Sequence, residues 1–278
     1  MRTWTGCAAA VLCACAAHAQ PATTAESATR ENGLFGLPAG PIDTPLVTDR
    51  PDFTESALAV PIGRLQVEAG LTFSSDDDSD SDLWTLPEVL LRVGVAEDLE
   101  LRFELPSYAI LRNSADEDGL TDSSIGFKWR FIEQDGAVPD LAVIGSLQLP
   151  THEDPFGIDG VHPGVVLAAG WDLSEELAEG YGLGVNLGVS ESDNDVGSSV
   201  WDASWSIALG VPIDDAWGAY VEYFAESPGT TLSETAHSFG TGLTYLVHTN
   251  LQLDFRIGFG LSDEAEDFFT GAGLAYRF

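Results

Sequence analysis

Cysteine is nearly missing from this sequence: Cys7, Cys13 and Cys15 are the only three, and none follows residue 15. They lie within residues 1–19, which have a positively charged start, an apolar middle and an Ala-x-Ala sequence at the end, a pattern that predicts a secretory signal peptide. Cleavage after Ala19 would leave a mature chain without a disulfide, a thiol nucleophile or a thiolate metal ligand. The alternative is a lipoprotein signal that leaves a lipidated Cys15.

Long hydrophobic runs are missing too. No apolar run reaches the roughly 18 residues that a membrane-spanning helix needs. Yet 44% of the residues are hydrophobic and 10% are aromatic, which excludes a chain disordered by composition. If the chain resides in a membrane, it must do so as a closed β-barrel, the other architecture that satisfies its own backbone hydrogen bonds.

Basic residues are scarce. The chain has 11 Lys and Arg against 45 Asp and Glu, a formal net charge of −34. Such a surface repels nucleic acid and anionic headgroups, so nucleic acid is excluded as a partner. The acidic residues must be separated from the apolar ones for the chain to fold.

The last strand of the chain shows how this separation is made. Phe268, Leu274, Tyr276 and Phe278 fall on one face, because side chains alternate between the faces of a strand. Small residues and Arg277 fall on the other. An aromatic residue at the very end of a strand suits the interface of an outer membrane. We expect this terminal strand to face outer-membrane lipid and to be recognised by the barrel-assembly machinery.

The same alternation recurs in segments of about ten residues from residue 63 onward. It predicts an all-β fold over residues 63–278: a transmembrane, antiparallel, up-and-down β-barrel of about twelve strands with both termini in the periplasm. Short turns are predicted at 96–98, 214–215 and 248–250, and longer acidic loops at 74–82, 107–119, 150–163, 191–198 and 226–234. A soluble barrel or sandwich is the alternative, but the face opposite the apolar one is mostly Gly, Ser, Thr and charge.

If the apolar face meets lipid, the other face lines the lumen. The first four and last two predicted strands place charged residues there, and closure of the barrel would make these strands neighbours. This predicted ionic wall consists of Arg64, Glu68, Glu88, Arg92, Glu100, Arg102, Glu104, Lys128, Arg130, Asp254, Arg256 and Arg277. The opposed charges would either neutralise one another in a narrow lumen or polarise a pore and orient its permeant.

The segment ahead of the barrel divides in two. Residues 20–45, rich in Ala, Thr, Pro and Gly, predict a flexible periplasmic arm. Residues 46–62 carry a compact charged group that could fold into the lumen as a plug or form a periplasmic turn. The candidate plug residues are Asp49, Arg50, Asp52, Phe53 and Glu55.

Part of this segment resembles a known family. The run TDRPDFTES at 48–56, VPIGRLQVE at 60–68 and LPEVLLRVG at 86–94 are similar to bacterial outer-membrane transporters named for the meta pathway of phenol degradation. The resemblance covers about residues 46–278. It implies an outer-membrane barrel that takes up aromatic compounds, with a small-molecule permeant as partner. A structural or adhesive barrel without transport is the alternative.

Signals for metal binding and catalysis are weak. The acidic run 76–82 has the D-x-D-x-D spacing of a calcium loop but lacks its glycine and its bidentate glutamate. A loop that carries His152 and His162 fixes no metal geometry. His237 and Ser238 are adjacent, so they point to opposite faces of a strand and cannot form a nucleophile–base pair. We therefore predict no enzyme, no cofactor and no metal, and keep an outer-membrane hydrolase as a remote alternative.

Overall fold

The computed structural model describes residues 32–278, except 194–198 and 230–233. The predicted signal peptide and residues 20–31 of the predicted arm lie outside the described residues. Parts of the predicted loops 191–198 and 226–234 do so as well. Within the described ranges, no helix is long and apolar enough to cross a membrane.

Alternating side chains produce strands throughout the chain from Leu65. After a short 3-10 turn at Leu34–Gly36, the strands are β1 (Leu65–Asp76), β2 (Ser81–Ala96), β3 (Leu99–Leu105), β4 (Tyr108–Arg112), β5 (Glu117–Leu120), β6 (Ser123–Ile132), β7 (Asp140–Leu149), β8 (His162–Asp172), β9 (Gly182–Asp193), β10 (Ser199–Pro212), β11 (Trp217–Ser227), β12 (Ala236–His248), β13 (Leu251–Gly260) and β14 (Phe268–Arg277).

These strands form one closed antiparallel barrel. Strands adjacent along the barrel pair in antiparallel ladders, and β14 pairs with β1 to close it. Two barrel strands are interrupted: β3 and β4 are separated by Pro106 and Ser107, and β5 and β6 by Thr121 and Asp122. Proline has no amide hydrogen for the ladder, and Thr121 N bridges the gap by donating to Ser107 O (2.9 Å). The barrel thus has twelve strands, as predicted.

Two of the predicted loops are wrong. Residues 74–82 form the paired ends of β1 and β2, with a turn only at 77–80, and residues 107–119 contain the hairpin of β4 and β5. Both hairpins turn through an aspartate with positive φ, Asp80 (48°) and Asp116 (53°), a conformation that Asp tolerates better than most residues. Both faces of 74–82 are polar, so strand pairing continues there without the alternation that marks a strand in a bilayer, whereas β4 carries Ile110 and Leu111 within a mostly polar segment.

The outer surface is that of a membrane barrel. Exposed apolar side chains circle its middle: Leu101, Phe127, Leu147, Leu167, Leu187, Ile207, Val221, Leu243, Phe255 and Leu274. One aromatic girdle contains Trp129, Phe131, Trp171, Trp217, Tyr245, Tyr276 and Phe278, and the other contains Phe73, Trp84, Trp201, Trp205, Tyr223, Phe239, Phe259 and Phe268. Two girdles around an apolar band match the two interfaces of a bilayer.

The two ends of the barrel differ. We call the end with the connections 97–98, 213–216 and 249–250 the short-turn end, and β1 begins and β14 ends there. The opposite, long-loop end carries the extended hairpins and the connection 150–161. This asymmetry defines two mouths of the lumen.

Candidate functional site: the occupied lumen

Residues 46–62, which we call the plug, lie inside the barrel. They enter at the short-turn end, where Leu46 N donates to Thr249 O (2.8 Å), and leave at the same end, where Gly63 N donates to Gly94 O (2.8 Å). Between these points the chain runs up the lumen and returns. The structure therefore places the segment among the lumenal side chains, in the arrangement predicted for a plug and not in that of a periplasmic turn.

Asp49 is the electrostatic centre of the plug. It is only 7% exposed. Lys128 Nζ donates to both of its carboxylate oxygens at 2.7 Å, Arg102 Nη1 also donates to it, and Arg92 Nη1 lies 3.2 Å away. A buried carboxylate is stable only when it is paired and hydrogen-bonded. Asp49 meets that requirement with cations from three different strands.

Those three cations need carboxylates of their own. Arg92 and Arg102 stand directly opposite each other on β2 and β3, a destabilising arrangement of like charges. Glu100 offsets it by accepting from Arg92 Nε (2.8 Å) and from Arg102 Nη1 (3.2 Å). Glu68 accepts from Arg92 Nη1 (2.9 Å). The wall and Asp49 therefore form one network, and the charge of the wall is balanced only with the plug in place.

The plug backbone is fastened to the same wall. The Glu68 carboxylate accepts hydrogen bonds from Asp49 N (3.0 Å) and Arg50 N (3.1 Å). Glu100 accepts from Val60 N (2.7 Å) on the returning limb. Both limbs of the plug are thus held by acidic side chains of the barrel.

The tip of the plug is held by the opposite wall. Glu222, on β11, accepts from Phe53 N (3.0 Å), Thr54 N (2.6 Å) and Thr54 Oγ1 (2.6 Å). Thr54 Oγ1 also lies 2.8 Å from Ser206 Oγ. Asn186 accepts from Glu55 N (2.6 Å) and donates to Glu55 O (3.0 Å). The plug therefore spans the lumen from wall to wall.

Glycines leave room for the plug at its closest contacts. A Cβ at Gly70 would lie 2.1 Å from Arg50 Nη2, and one at Gly273, its cross-strand partner, 2.7 Å from Arg50 Nε. A Cβ at Gly184 would lie 2.9 Å from Thr54 Cγ2. These inward-facing glycines make the wall complementary to particular plug side chains, with Arg50 reaching Glu88 at 2.8 Å.

Cavities lie on both sides of the plug. The larger, which we call the upper chamber, has a volume of about 480 Å³ and is lined by Phe53, Glu104 and Arg256 among others. A side cavity of about 260 Å³ extends it toward Gln148. On the short-turn side, Val47 borders a cavity of about 160 Å³. The plug separates the two sides.

The structure divides the predicted ionic wall into groups. Glu68, Arg92, Glu100, Arg102 and Lys128 gather around Asp49, whereas Glu88, Asp254 and Arg256 surround Arg50. Arg64, Arg130 and Arg277 lie at the short-turn end and contact Gly40 O, Asp98 and Asn250 respectively. Glu104 and Asp52 face the upper chamber. Neighbouring strands of the wall pair directly through Arg92 with Glu68 and Glu100, and the plug residues Asp49 and Arg50 supply further partners to each group.

Four residues that contact the plug were not among the predicted site residues: Gln66, Asn186, Ser206 and Glu222. Gln66 donates to Val47 O (2.8 Å) and to Glu68 (2.8 Å). Glu222 carried a signal, because it is an isolated inward-facing charge on an otherwise polar wall. An isolated buried charge requires a partner, and here the partner is the tip of the plug.

The terminal strand lies as its alternation predicts. Leu274 is exposed on the outer surface. The rings of Tyr276 and Phe278 pack edge to face with their centroids 4.6 Å apart, and the ring centroid of Phe268 lies 6.4 Å from that of Phe73. Phe278 N donates to Leu65 O (2.8 Å). The last residue of the chain therefore takes part in barrel closure.

The loop histidines bind protein groups. His152 Nδ1 lies 2.9 Å from Asp122, and His162 Nε2 lies 2.7 Å from Asp159 O. In the part of the chain that the structure describes, no group of three or more His, Cys, Asp and Glu is placed to hold a metal ion. His237 Nδ1 lies 2.6 Å from Tyr223 OH on the outer surface, whereas Ser238 is buried.

Comparison with known proteins identifies the family. Residues 48–278 match the family described as "Putative MetA-pathway of phenol degradation". The chain belongs to this family. An outer-membrane channel from Pseudomonas putida F1 superposes with a TM-score of 0.63 at 14% identity, covering 84% of this chain and all (100%) of that one. The NanC porin gives a TM-score of 0.52 at 11% identity, covering 77% of this chain and 100% of that one. At these identities the two structures show a shared fold.

Among curated protein sequences, none is significantly similar to this chain. The family and the twelve-stranded barrel predicted from the sequence are both confirmed. A closed barrel of this fold with an apolar outer band and two aromatic girdles is a protein of the bacterial outer membrane.

Proposed function

We propose that this protein is an outer-membrane channel for small aromatic or hydrophobic compounds, and that the plug closes it until the plug moves. The observation that carries the proposal is the fit between plug and lumen. Asp49, Arg50 and Thr54 each meet a matched set of partners in the barrel wall. A barrel used only as a structural element would not need a lumen with cavities on both sides of such a segment.

The orientation follows from the general architecture of outer-membrane barrels, in which short turns are periplasmic and long loops extracellular. The short-turn end, and with it both ends of the barrel chain, would then lie in the periplasm. The plug would enter from the periplasmic side, and the upper chamber would open toward the outside. Phe278, at the periplasmic end of the last strand, would be available to the barrel-assembly machinery.

The substrate class rests on the family and on the upper chamber. The family description concerns phenol degradation. The chamber offers apolar surface from Phe53, Leu90, Leu105 and Val166 beside its charged groups. Binding pockets for small organic molecules combine such apolar walls with a few polar side chains. We propose no catalytic role, because the proposed channel function accounts for the lumenal residues without one.

A disulfide between plug and wall tests the proposal. Thr54 and Ser206 contact each other through their hydroxyl groups at 2.8 Å, and the chain after residue 15 has no cysteine to interfere. The double variant Thr54→Cys/Ser206→Cys should conduct ions and take up labelled aromatic compounds only after reduction. The single variant Thr54→Cys is the matched control and should not respond to reductant.

The alternative, a structural or adhesive barrel, predicts a different outcome. Wild-type and reduced double-variant proteins would then show no conductance in planar bilayers and no uptake by liposomes. Cells with and without the gene would also take up aromatic compounds at equal rates. That set of results would remove the channel function and leave the structural one.

A further inference from the structure

The upper chamber is strongly acidic. Seven carboxylates and three guanidinium groups line it, and two of the carboxylates, Asp49 and Glu68, pair with Lys128 and Arg92, which are not part of the lining. All three guanidinium groups have partners: Arg50 pairs with Glu88 (2.8 Å) and Arg102 with Glu55 (2.7 Å), whereas Arg256 donates to two neutral acceptors, Pro51 O (3.1 Å) and Thr72 Oγ1 (2.6 Å). The positive charge of the chamber is therefore used to hold the plug and the wall together.

Glu104 differs from these engaged groups. Its side chain points into the lumen from β3, is exposed there, and accepts a hydrogen bond from a neutral donor, Ser124 Oγ (2.7 Å). In the described part of the chain it has no ion-pair partner. A carboxylate in this setting keeps its negative charge exposed to whatever enters the chamber.

A second acidic group stands across the mouth from Glu104. Asp202 on β10 and Glu226 on β11 lie on the inward face, and Glu266 folds against Ser74 Oγ (2.6 Å). Asp202 is bound by a neutral donor, the amide of Gly229 (2.7 Å). Among the described residues of the long-loop extensions, Arg112 is the one Lys or Arg and it is exposed, while His152 pairs with Asp122. Both sides of the mouth thus present uncompensated negative charge.

We infer that the upper chamber selects solutes by charge: it admits cationic and neutral solutes and rejects anionic ones, with Glu104, Asp202, Glu226 and Glu266 as the specificity-determining residues. This inference rests on the proposed channel function. A cleft lined by charge of one sign, with low-dielectric walls, concentrates counter-ions and repels ions of like sign. Ion pairs with Glu88 and Glu55 neutralise Arg50 and Arg102, and the remaining carboxylates of the lining outnumber Arg256. An organic cation or an uncharged aromatic compound therefore fits the chamber better than an aromatic acid does.

The first test measures ion selectivity of the full-length protein in planar bilayers. The reversal potential in a KCl gradient should give a K⁺/Cl⁻ permeability ratio above one. Glu104→Lys should lower that ratio about threefold, since one charge changes sign inside the focused field. The triple variant Asp202→Asn/Glu226→Gln/Glu266→Gln should also lower it. Asp215→Asn, an exposed turn residue at the other end, should leave it unchanged.

The second test uses three solutes that share a phenyl ring and differ in charge. Proteoliposomes should take up benzyltrimethylammonium and phenyl glucoside faster than benzenesulfonate. A K⁺/Cl⁻ permeability ratio below one, or faster uptake of benzenesulfonate than of the other two solutes, overturns the inferred selectivity but still supports the proposed channel. No conductance and no uptake of any of the three, in either the wild type or a Glu222→Ala variant with a loosened plug, overturns both the selectivity and the proposed function.

Discussion

Lys128 Nζ donates to both carboxylate oxygens of Asp49, at 2.7 Å each, in the middle of the lumen. The bond joins β6 to a segment that precedes the barrel in the sequence, and both side chains are buried. It therefore couples the position of the plug to the charge balance of the wall. This coupling makes the plug open to test by single substitutions.

Asp49→Asn should destabilise the closed state strongly. It leaves Arg92, Arg102 and Lys128 buried without their shared carboxylate, and breaking a buried ion pair from one side costs about 3–5 kcal/mol. We expect a lower melting temperature in detergent and a higher open probability in bilayers.

Asp49→Asn/Lys128→Met is the matched comparison, because it removes one charge of each sign. It should recover much of the lost melting temperature. Asp215→Asn controls for a loss of acidic charge outside the lumen. A single variant as stable and as closed as the wild type would contradict the role assigned to Asp49.

The sequence was sufficient for the barrel because every membrane-spanning strand must present apolar residues to lipid at every second position. The same reason explains where it failed. Residues 74–82 are polar on both faces, and in 107–119 the short apolar stretch of β4 is followed by polar residues, so neither segment shows the long alternation of a lipid-facing strand. Their pairing depends on the backbone ladder, in which Asp76 is opposite Ser81, and composition does not reveal such a register.

The plug could be predicted only as one of two alternatives. Its charged residues indicated a need for partners, but both a lumenal and a periplasmic position would have supplied them. The deciding contacts are distant in sequence: Glu222 is 168 residues from Thr54. A single sequence does not show which plug residue meets which wall residue. The isolated inward charge of Glu222 nevertheless explains why the plug tip binds at that position.

Glu222→Ala should loosen the tip of the plug. It removes the acceptor of three hydrogen bonds, and each buried donor left unsatisfied costs about 1–3 kcal/mol. We expect the amides of Phe53 and Thr54 to exchange hydrogen faster, as measured by mass spectrometry in detergent. Glu226→Ala, on the same face of the same strand four residues on, should leave their exchange rates unchanged. Equal rates in the two variants would contradict the contact between Glu222 and the plug tip.

Gly70→Ala should displace Arg50 without changing any charge. The added methyl group would lie 2.1 Å from Arg50 Nη2, closer than any real contact, and the backbone of β1 is fixed by strands on both sides. The ion pair with Glu88 should break and the open probability should rise. Gly210→Ala is the control, since its methyl group would meet atoms only at ordinary distances of 3.7 Å or more.

Shortening the displaced side chain should reverse this effect. In Gly70→Ala/Arg50→Ala the conflict with Arg50 is gone and only the 2.8 Å approach of the methyl group to Ala272 O remains, so the plug should return to its place while lacking one ion pair. The double variant should therefore be closed more of the time than Gly70→Ala alone. An open probability in the double variant equal to or above that of Gly70→Ala would show that the glycine serves strand packing and not the plug.

The connection 150–161 at the long-loop end should respond to pH through Asp122. Its carboxylate accepts hydrogen bonds from Thr151 N (2.9 Å) and Ile158 N (2.9 Å) and pairs with His152 Nδ1 (2.9 Å). The hydrogen bond with Asp122 raises the pKa of His152. Burial raises the pKa of Asp122, but the hydrogen bonds, led by that from Ile158 N, outweigh it and lower the pKa below its usual value.

The two pKa shifts, of His152 and Asp122, define one pH window in which the loop is most stable. The raised pKa of His152 means that its contribution is complete below its ordinary pKa and is lost as the pH rises through the raised value. The lowered pKa of Asp122 means that its contribution is present above its ordinary pKa and is lost on acidification. Loop amides should therefore be best protected between about pH 4 and 6.5, and protection corrected for intrinsic exchange should fall toward alkaline pH. In His152→Ala that alkaline loss should vanish while the acid loss remains, because the backbone donors to Asp122 are still present. If the loss of amide protection at alkaline pH persists in His152→Ala, another group causes it and His152 is ruled out as its source.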